Sequence, residues 1–325
     1  MSALRVAIVG CGLIGAKRAA ALTQADELVG CYDVRPAVAQ ELAERHGSTA
    51  CATLEELFER APDVVLVAAV HDRLAELTEQ ALRAGAHVLV EKPAGVGSAE
   101  LRRLIALQQA SGLLVKVGFN HRFHPAIARV AAEVHSGEHG ELLHLRGLYG
   151  HGGRPGYERE WRAQPARSGG GELIDQGMHL LDISNWIAGP LPLHCALLRT
   201  QFWDTPVEDN AALLLGERET RSAPWALLHV SWTEWKNRFS LEVYCARAKL
   251  HVEGLVRSYG TQRLRIYRMD DSLGPPALEE IVYPAQDVSW QREWEHFRAA
   301  VLERDRAGLR ERDAAGLPER DAAGL

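Results

Sequence analysis

Val6-Ala-Ile-Val9-Gly10-Cys11-Gly12-Leu13-Ile14-Gly15 decides the fold. An apolar, strand-like run enters a G-x-G-x-x-G turn, and the amphipathic stretch Leu13–Thr23 follows as a helix. The next apolar run, Leu28–Tyr32, ends at Asp33, 23 residues after Gly10. That is the strand-turn-helix-strand context in which the glycine pattern binds a dinucleotide. Gly10 permits the tight turn, Gly12 lets the backbone approach a pyrophosphate, and Gly15 lets the helix pack on the sheet. The helix N-terminus offers unpaired N–H groups and the positive end of its dipole. Asp33 is placed to accept the ribose hydroxyls of NAD, with Val34 and Arg35 beside it, and its charge opposes the 2′-phosphate of NADP. Arg35 softens that exclusion.

Outward from this unit, apolar runs at Val64–Ala69, His87–Val90 and Leu113–Val117 alternate with helical patterns at Pro36–His46, Leu74–Ala84 and Ser98–Ser111. The alternation predicts an α/β Rossmann domain, a doubly wound parallel sheet, over residues 1–120. The texture then changes. Helical patterns at Ala126–His135 and Leu173–Ile187 are followed by a succession of strand-like runs from His194 to Glu253, then by a helix at Trp290–Glu303. Residues 121–302 therefore read as an α+β domain with a mostly antiparallel sheet. From Glu303 an eight-residue unit repeats to Leu325, too short for a packed array, and reads as a mobile or surface-hugging tail.

Composition excludes other classes. The 325 residues give a prior of two domains. The 37 basic residues against 43 acidic ones leave a net charge of −6, and no basic block marks a nucleic-acid partner. The longest apolar run, Val64–Val70, is far short of the roughly 20 residues of a membrane span, and no signal-peptide pattern opens the chain. Five scattered cysteines without a C-x-x-C pair read as reduced, mostly buried thiols of a cytoplasmic protein.

Three further segments carry chemistry. Glu91-Lys92-Pro93 follows a parallel strand, at the sheet edge where ligands bind; a lysine there is either solvated or aimed at a ligand. In Gly169-Gly-Gly-Glu-Leu-Ile-Asp175-Gln-Gly177-Met-His179, Asp175 and His179 are four apart and share a helix face. The pair reads as a metal couple lacking a third ligand, as a carboxylate orienting a core histidine, or as an acid/base histidine with its partner. The long segment from His151 to Gly171 is rich in Gly and Arg and reads as a functional loop or as a solvated charged one.

Together these segments, with Val117-Gly-Phe-Asn120-His-Arg122, resemble the Gfo/Idh/MocA oxidoreductase family over roughly residues 5–300. The resemblance implies a Rossmann domain, a C-terminal substrate-binding domain whose large open, mostly antiparallel sheet makes a homodimer or homotetramer interface, and an active site between the two. It implies NAD-dependent oxidation of a secondary alcohol of a sugar or polyol, with Lys92, Asp175 and His179 as the catalytic set and no metal. His179 or Lys92 takes the proton and Lys92 steadies the alkoxide. Cofactor contacts are implied at Ala69, Val70, His71, Glu91, Lys92 and Asn120. Substrate contacts are implied at Lys92, Arg122, Tyr157, Trp161, Arg162, Asp175, His179 and Trp235, with Lys236 and Asn237 as further lining residues. Ala69-Val70 departs from the Thr-Pro frequent there, which touches the fine cofactor contacts. Trp232 alternates with Val230 and reads as core. Relatives of this kind oxidise a sugar hydroxyl to a ketone, at carbon 3 in this reading, ahead of an aminotransferase in nucleotide-sugar and aminoglycoside-antibiotic pathways. The alternatives are a catabolic inositol or free-sugar dehydrogenase, a keto-sugar reductase using NAD(P)H, and an NAD-binding regulator without turnover.

Overall fold

A computed structural model of the chain describes residues 3–217, 223–269 and 274–314, giving the backbone course alone over 305–314. Its first half is a five-stranded parallel sheet of β1 (Arg5–Val9), β2 (Glu27–Tyr32), β3 (Val64–Val67), β4 (His87–Glu91) and β5 (Val115–Gly118). The strands lie in the order β2-β1-β3-β4-β5. Between them run α1 (Leu13–Ala20), α2 (Pro36–His46), α3 (Leu54–Glu59), α4 (His71–Arg83) and α5 (Ser98–Ser111). Alternation along each strand sorts the core into two layers. Val6, Ile8, Val64, Leu66 and Leu89 face one side; Ala7, Val9, Val65, Val67, Val88 and Val90 face the other.

The second half carries α6 (Pro125–His135), α7 (Pro165–Ser168), α8 (Met178–Ala188) and eight strands: β6 (Leu142–Gly150), β7 (Leu193–Arg199), β8 (Asn210–Gly216), β9 (Trp225–Ser231), β10 (Arg238–Cys245), β11 (Ala248–Glu253), β12 (Arg263–Arg268) and β13 (Ala277–Val282). Their order is β13-β12-β11-β10-β6-β9-β8-β7, antiparallel except for the β6–β9 pair. Ile127, Val130, Leu180 and Ile183 of α6 and α8 cover one face. On other parts of the sheet Leu143, Leu193, Leu197, Trp225 and Leu227 are exposed.

Three features differ from the sequence expectation. β12 and β13 lengthen the sheet beyond the runs read from sequence, because charged Arg and Glu residues on their solvent side dilute the apolar signal. The last helix, α9 (Ser289–Ala314), was grouped by chain order with the second half, yet it packs on the first: Trp294, Phe297 and Val301 join Val6, Ile8 and Leu89 in one apolar layer. It also continues as helix past Glu303 through the first copy of the repeat, the stretch that the sequence reads as a mobile or surface-hugging tail; residues 315–325 of that tail lie outside the described residues. The cysteines are all free, with Cys195 exposed and the other four buried. No helix among the described residues is long and apolar enough to cross a membrane.

Candidate active site

The glycine turn is built as its spacing requires. Gly10 sits at φ +89°, where an added Cβ would fall 2.5 Å from the carbonyl oxygen of Ala68. A Cβ on Gly15 would lie 2.0 Å from the Gly10 carbonyl oxygen. Beside Gly12, by contrast, no atom lies within 4 Å, so a bare backbone faces open space at the N-terminus of α1. Gly12 has no side chain to cap that helix, which leaves its first N–H groups for a ligand. Asp33 closes the site at the end of β2. Its Oδ2 accepts from the Cys11 N–H at 2.9 Å and its Oδ1 from the Arg35 N–H at 2.9 Å. Two acceptor positions of the carboxylate remain for ribose hydroxyls. Leu13 and Val34, both strongly exposed, flank this surface. The open backbone at Gly12 and the carboxylate of Asp33 fit a dinucleotide.

Beyond the carboxyl ends of β3 and β4, a cavity of about 580 Å³ separates the two halves. Glu91, at the last position of β4, accepts from Arg18 Nε at 2.7 Å, and the same guanidinium reaches Glu293 of α9 at 2.6 Å. This buried triad anchors the backbone that presents Lys92. The Lys92–Pro93 peptide is cis. Lys92 Nζ donates to Asp175 Oδ1 at 2.7 Å and to the Asp175 carbonyl oxygen at 2.5 Å, while Arg162 Nε donates to Asp175 Oδ2 at 3.1 Å. Burial alone would raise the Asp175 carboxyl; Lys92 and Arg162 outweigh it and hold the group far below the usual carboxylate range. Both Asp175 oxygens face cations, which removes the metal-couple reading; among the described residues no three His, Cys, Asp or Glu side chains are set to hold a metal.

Asp175 and His179 do not share a regular α-helix as the four-residue spacing suggested. Leu173–Gly177 winds as a π-helical turn and only Met178–Ala188 is α-helical. A Cβ on Gly171 would lie 1.9 Å from the Glu208 carbonyl oxygen, so the segment is pressed against its neighbour just before it widens into the π-helical turn. Both side chains still border the cavity.

His179 is buried and stacks on His121, with ring centroids 3.6 Å apart and planes 21° off parallel. A hydrogen-bond chain fixes the tautomer of His121. Ser289 Oγ donates to Asp287 Oδ1 at 2.6 Å, so it must accept from Asn120 Nδ2 at 2.9 Å. Asn120 Oδ1 then faces His121 Nδ1 at 3.2 Å and accepts its proton. Burial, reinforced by the Lys92 charge, lowers His179 well below its ordinary value; burial and the neighbouring His179 do the same to His121. Burial draws His71 and His124 down to about 4. These imidazoles are neutral at pH 7, the form that accepts a proton.

The His151–Gly171 loop carries short 3₁₀ turns at Tyr157–Arg159 and Trp161–Ala163, then α7. His151, Arg154, Tyr157, Trp161 and Arg162 line the cavity from it. Tyr157 is buried edge-on against the wholly buried Trp232, so it is wall rather than platform. Of the residues expected from sequence, Leu13, Ile14, Ala69, His71, Glu91, Lys92, Asn120, Tyr157, Trp161, Arg162, Asp175, His179 and Asn237 border the cavity, while Lys236 does not. Gly10, Gly12, Gly15, Asp33, Val34, Arg35 and Val70 are not among its lining residues and belong to the glycine turn, the end of β2 and the start of α4. Arg122 does not line it either: its Nε and Nη2 donate side-on to the two oxygens of Asp182. Trp235, outside the same cavity, is exposed and packs edge-on against Phe202. Sequence reasoning missed His121, His124, Tyr149, Tyr259 and Asp287. For His121 and His124 the available signal was two histidines three apart directly after Asn120.

Comparison with known proteins agrees with this geometry. Residues 4–119 match the family model of the oxidoreductase family with NAD-binding Rossmann fold, and residues 127–251 match the GFO/IDH/MocA C-terminal domain. The chain belongs to the Gfo/Idh/MocA family. It is 32% identical to a myo-inositol dehydrogenase of Streptomyces leeuwenhoekii over 57% of this chain and 56% of that one. It is 33% identical to a D-glucoside 3-dehydrogenase of Escherichia coli K12 over 58% of this chain and 55% of that one. The matched stretch thus spans little more than half the length of these curated relatives. Among solved structures, a 3-ketoreductase from Actinomadura kijaniata, bound to TDP-benzene and NADP, is 26% identical with a TM-score of 0.78, covering 93% of this chain and 91% of that one.

Proposed function

We propose that this family member is an NAD-dependent dehydrogenase that oxidises a secondary hydroxyl of a sugar, at carbon 3, to a ketone. The observation that carries the reading is the convergence of Lys92, Asp175 and His179 on a cavity that opens towards the glycine turn. Bound NAD supplies the hydride acceptor. The protein's part is the oxygen end of the bond. The neutral imidazole of His179 is ready to take the hydroxyl proton, Lys92 sets a positive charge where the alkoxide develops, and Asp175 holds Lys92 in place. Arg162 shares Asp175 with Lys92 and closes the site on the loop side.

Carbon 3 is supported by the names of two relatives, a D-glucoside 3-dehydrogenase and a 3-ketoreductase. The second also favours the reverse reading, reduction of a keto-sugar, which the same groups serve by returning the proton. NAD over NADP rests on Asp33, whose carboxylate stands where a 2′-phosphate would have to sit. The exposed apolar residues of the large sheet support a homodimer or homotetramer. The ketone made is a substrate for an aminotransferase, the partner enzyme expected downstream. The test is NADH formation across glucosides, nucleotide sugars, aminoglycosides and free inositols, with NAD and NADP in parallel, and with NADH against keto-sugars. Turnover of one glycoside class with NAD is expected; tight NAD binding without turnover in either direction refutes the reading.

A further inference from the structure

The large sheet of this acidic protein neutralises its cations almost pairwise. Arg146 and Lys249 pair with Glu242, Arg263 with Glu280, Arg265 with Glu253 and Glu280, and Arg268 with Glu279. Arg199 and Arg247 donate to backbone carbonyls instead, and three further basic side chains without a carboxylate partner gather in one place. Lys236, Arg238 and Arg257 make no ion pair among the described residues, and all three line one groove of about 610 Å³ at the end of β10 and β11. Arg263 and Glu253 in that groove are already paired, which leaves Glu234 as its uncommitted carboxylate.

The groove adjoins the catalytic cavity. The two share Asn237, Arg257, Ser258 and Tyr259, and the wall between them is latched by a single 2.9 Å hydrogen bond from Asn237 Nδ2 to Ser258 Oγ. Arg257 is held there at some cost: it and the β-branched Val256 both lie in the left-handed region, at φ +51° and +63°, between Gly254 and Gly260. Such strain collects at ligand sites. The loop that supplies Lys236 and Asn237 also presents Trp235, 65% exposed, with Phe202, 61% exposed, edge-on at 4.8 Å. Unpaired cations beside an uncovered aromatic pair suit a ligand with a polyanionic part and a flat ring.

We propose that this groove is a second subsite, which holds the nucleoside diphosphate arm of a sugar substrate while the sugar lies in the catalytic cavity. Lys236, Arg238 and Arg257 take the phosphates, and the base lies on the Trp235–Phe202 ledge. The inference rests on the sugar-oxidation reading and narrows its substrate class to nucleotide sugars over free inositols and cationic aminoglycosides.

The test titrates UDP and dTDP, with pyrophosphate and uridine as part-ligands, into the full chain saturated with NAD, by calorimetry. The NAD keeps the glycine turn filled. One-site binding of UDP or dTDP is expected, weakening as salt rises. The double variant Lys236→Gln/Arg238→Gln should lose at least tenfold in that affinity, and Trp235→Ala roughly tenfold, with NAD affinity unchanged in both. Pyrophosphate and uridine alone should bind more weakly than UDP. Three results overturn the proposal: no binding of either diphosphate to the NAD-saturated protein, binding that displaces NAD, or binding untouched by both variants. Turnover of a free sugar without diphosphate binding overturns the subsite and leaves the oxidation reading standing. Diphosphate binding lost in the variants, with no sugar turned over in either direction, overturns the oxidation reading instead.

Discussion

Replacing Arg18 by Met removes the cation from a buried triad that ties three parts of the chain together. The guanidinium is 2% exposed and reaches Glu91 beside Lys92 and Glu293 on α9. Methionine roughly fills the space, so the loss is electrostatic: two buried carboxylates face each other without a counter-charge. Breaking a buried pair by removing one partner costs about 3–5 kcal/mol. Burial already raises the Glu293 carboxyl with Arg18 present, and without that counter-charge it should rise further. A carboxyl whose folded value lies above its unfolded one binds its proton preferentially in the folded state. Its penalty is therefore present at high pH and disappears as pH falls through the raised value towards the unfolded one. Urea unfolding of wild type and Arg18→Met should accordingly show a deficit of about 3–5 kcal/mol near pH 8 that shrinks towards pH 5. Because Glu91 positions Lys92, kcat should fall more than NAD affinity. A deficit below about 1 kcal/mol, or one flat across pH, would refute the electrostatic origin of the coupling.

Gly12→Val should leave the melting temperature close to wild type, since no atom lies within 4 Å of its Cβ position, yet abolish the stabilisation given by added NAD; Gly15→Ala should fail to fold, its Cβ meeting the Gly10 carbonyl at 2.0 Å. Asp33→Ser should lower the NAD preference over NADP by at least tenfold in kcat/KM, read from parallel assays, and unchanged selectivity would remove Asp33 from the ribose site. The neutral histidines make stability fall with acid: His71 and His124 are drawn down from 6.5 to about 4, so the unfolded chain takes up protons first, and at pH 5 each costs about 2 kcal/mol relative to pH 8. A denaturation midpoint that does not drop between those pH values would show that these imidazoles are protonated in the folded state.

The Rossmann half was legible because its signals are local. Two-residue alternation in β1 and β3 sorts the two core layers, and the glycine spacing with Asp33 needs no knowledge of the rest of the chain. Lys92, Asp175 and His179 were legible as types at strand and helix ends. Less legible was what surrounds them. The π-helical turn begins beside the close approach of Gly171 to Glu208, 37 residues further along the chain. The His121–His179 stack brings together the 3₁₀ turn Asn120–Phe123 and α8 through residues 58 apart, and the His121 tautomer is fixed by Asp287 near the far end of the chain. Arg122 was read as a ligand contact because nothing in sequence reveals Asp182 as its partner. α9 carries Trp294 and Phe297 at helical spacing, but only tertiary contact shows that they complete the first core.

The decisive measurement follows deuterium from carbon 3 of a labelled nucleotide sugar or glucoside into the cofactor by mass spectrometry, with wild type, Lys92→Met and His179→Gln. Wild type should deliver the label to NAD. Each variant should still bind NAD while transferring the label roughly 10²–10³-fold more slowly. Label transfer undiminished in both variants, or NAD bound tightly by wild type with no label transferred from any sugar, would contradict a dehydrogenase built on Lys92, Asp175 and His179.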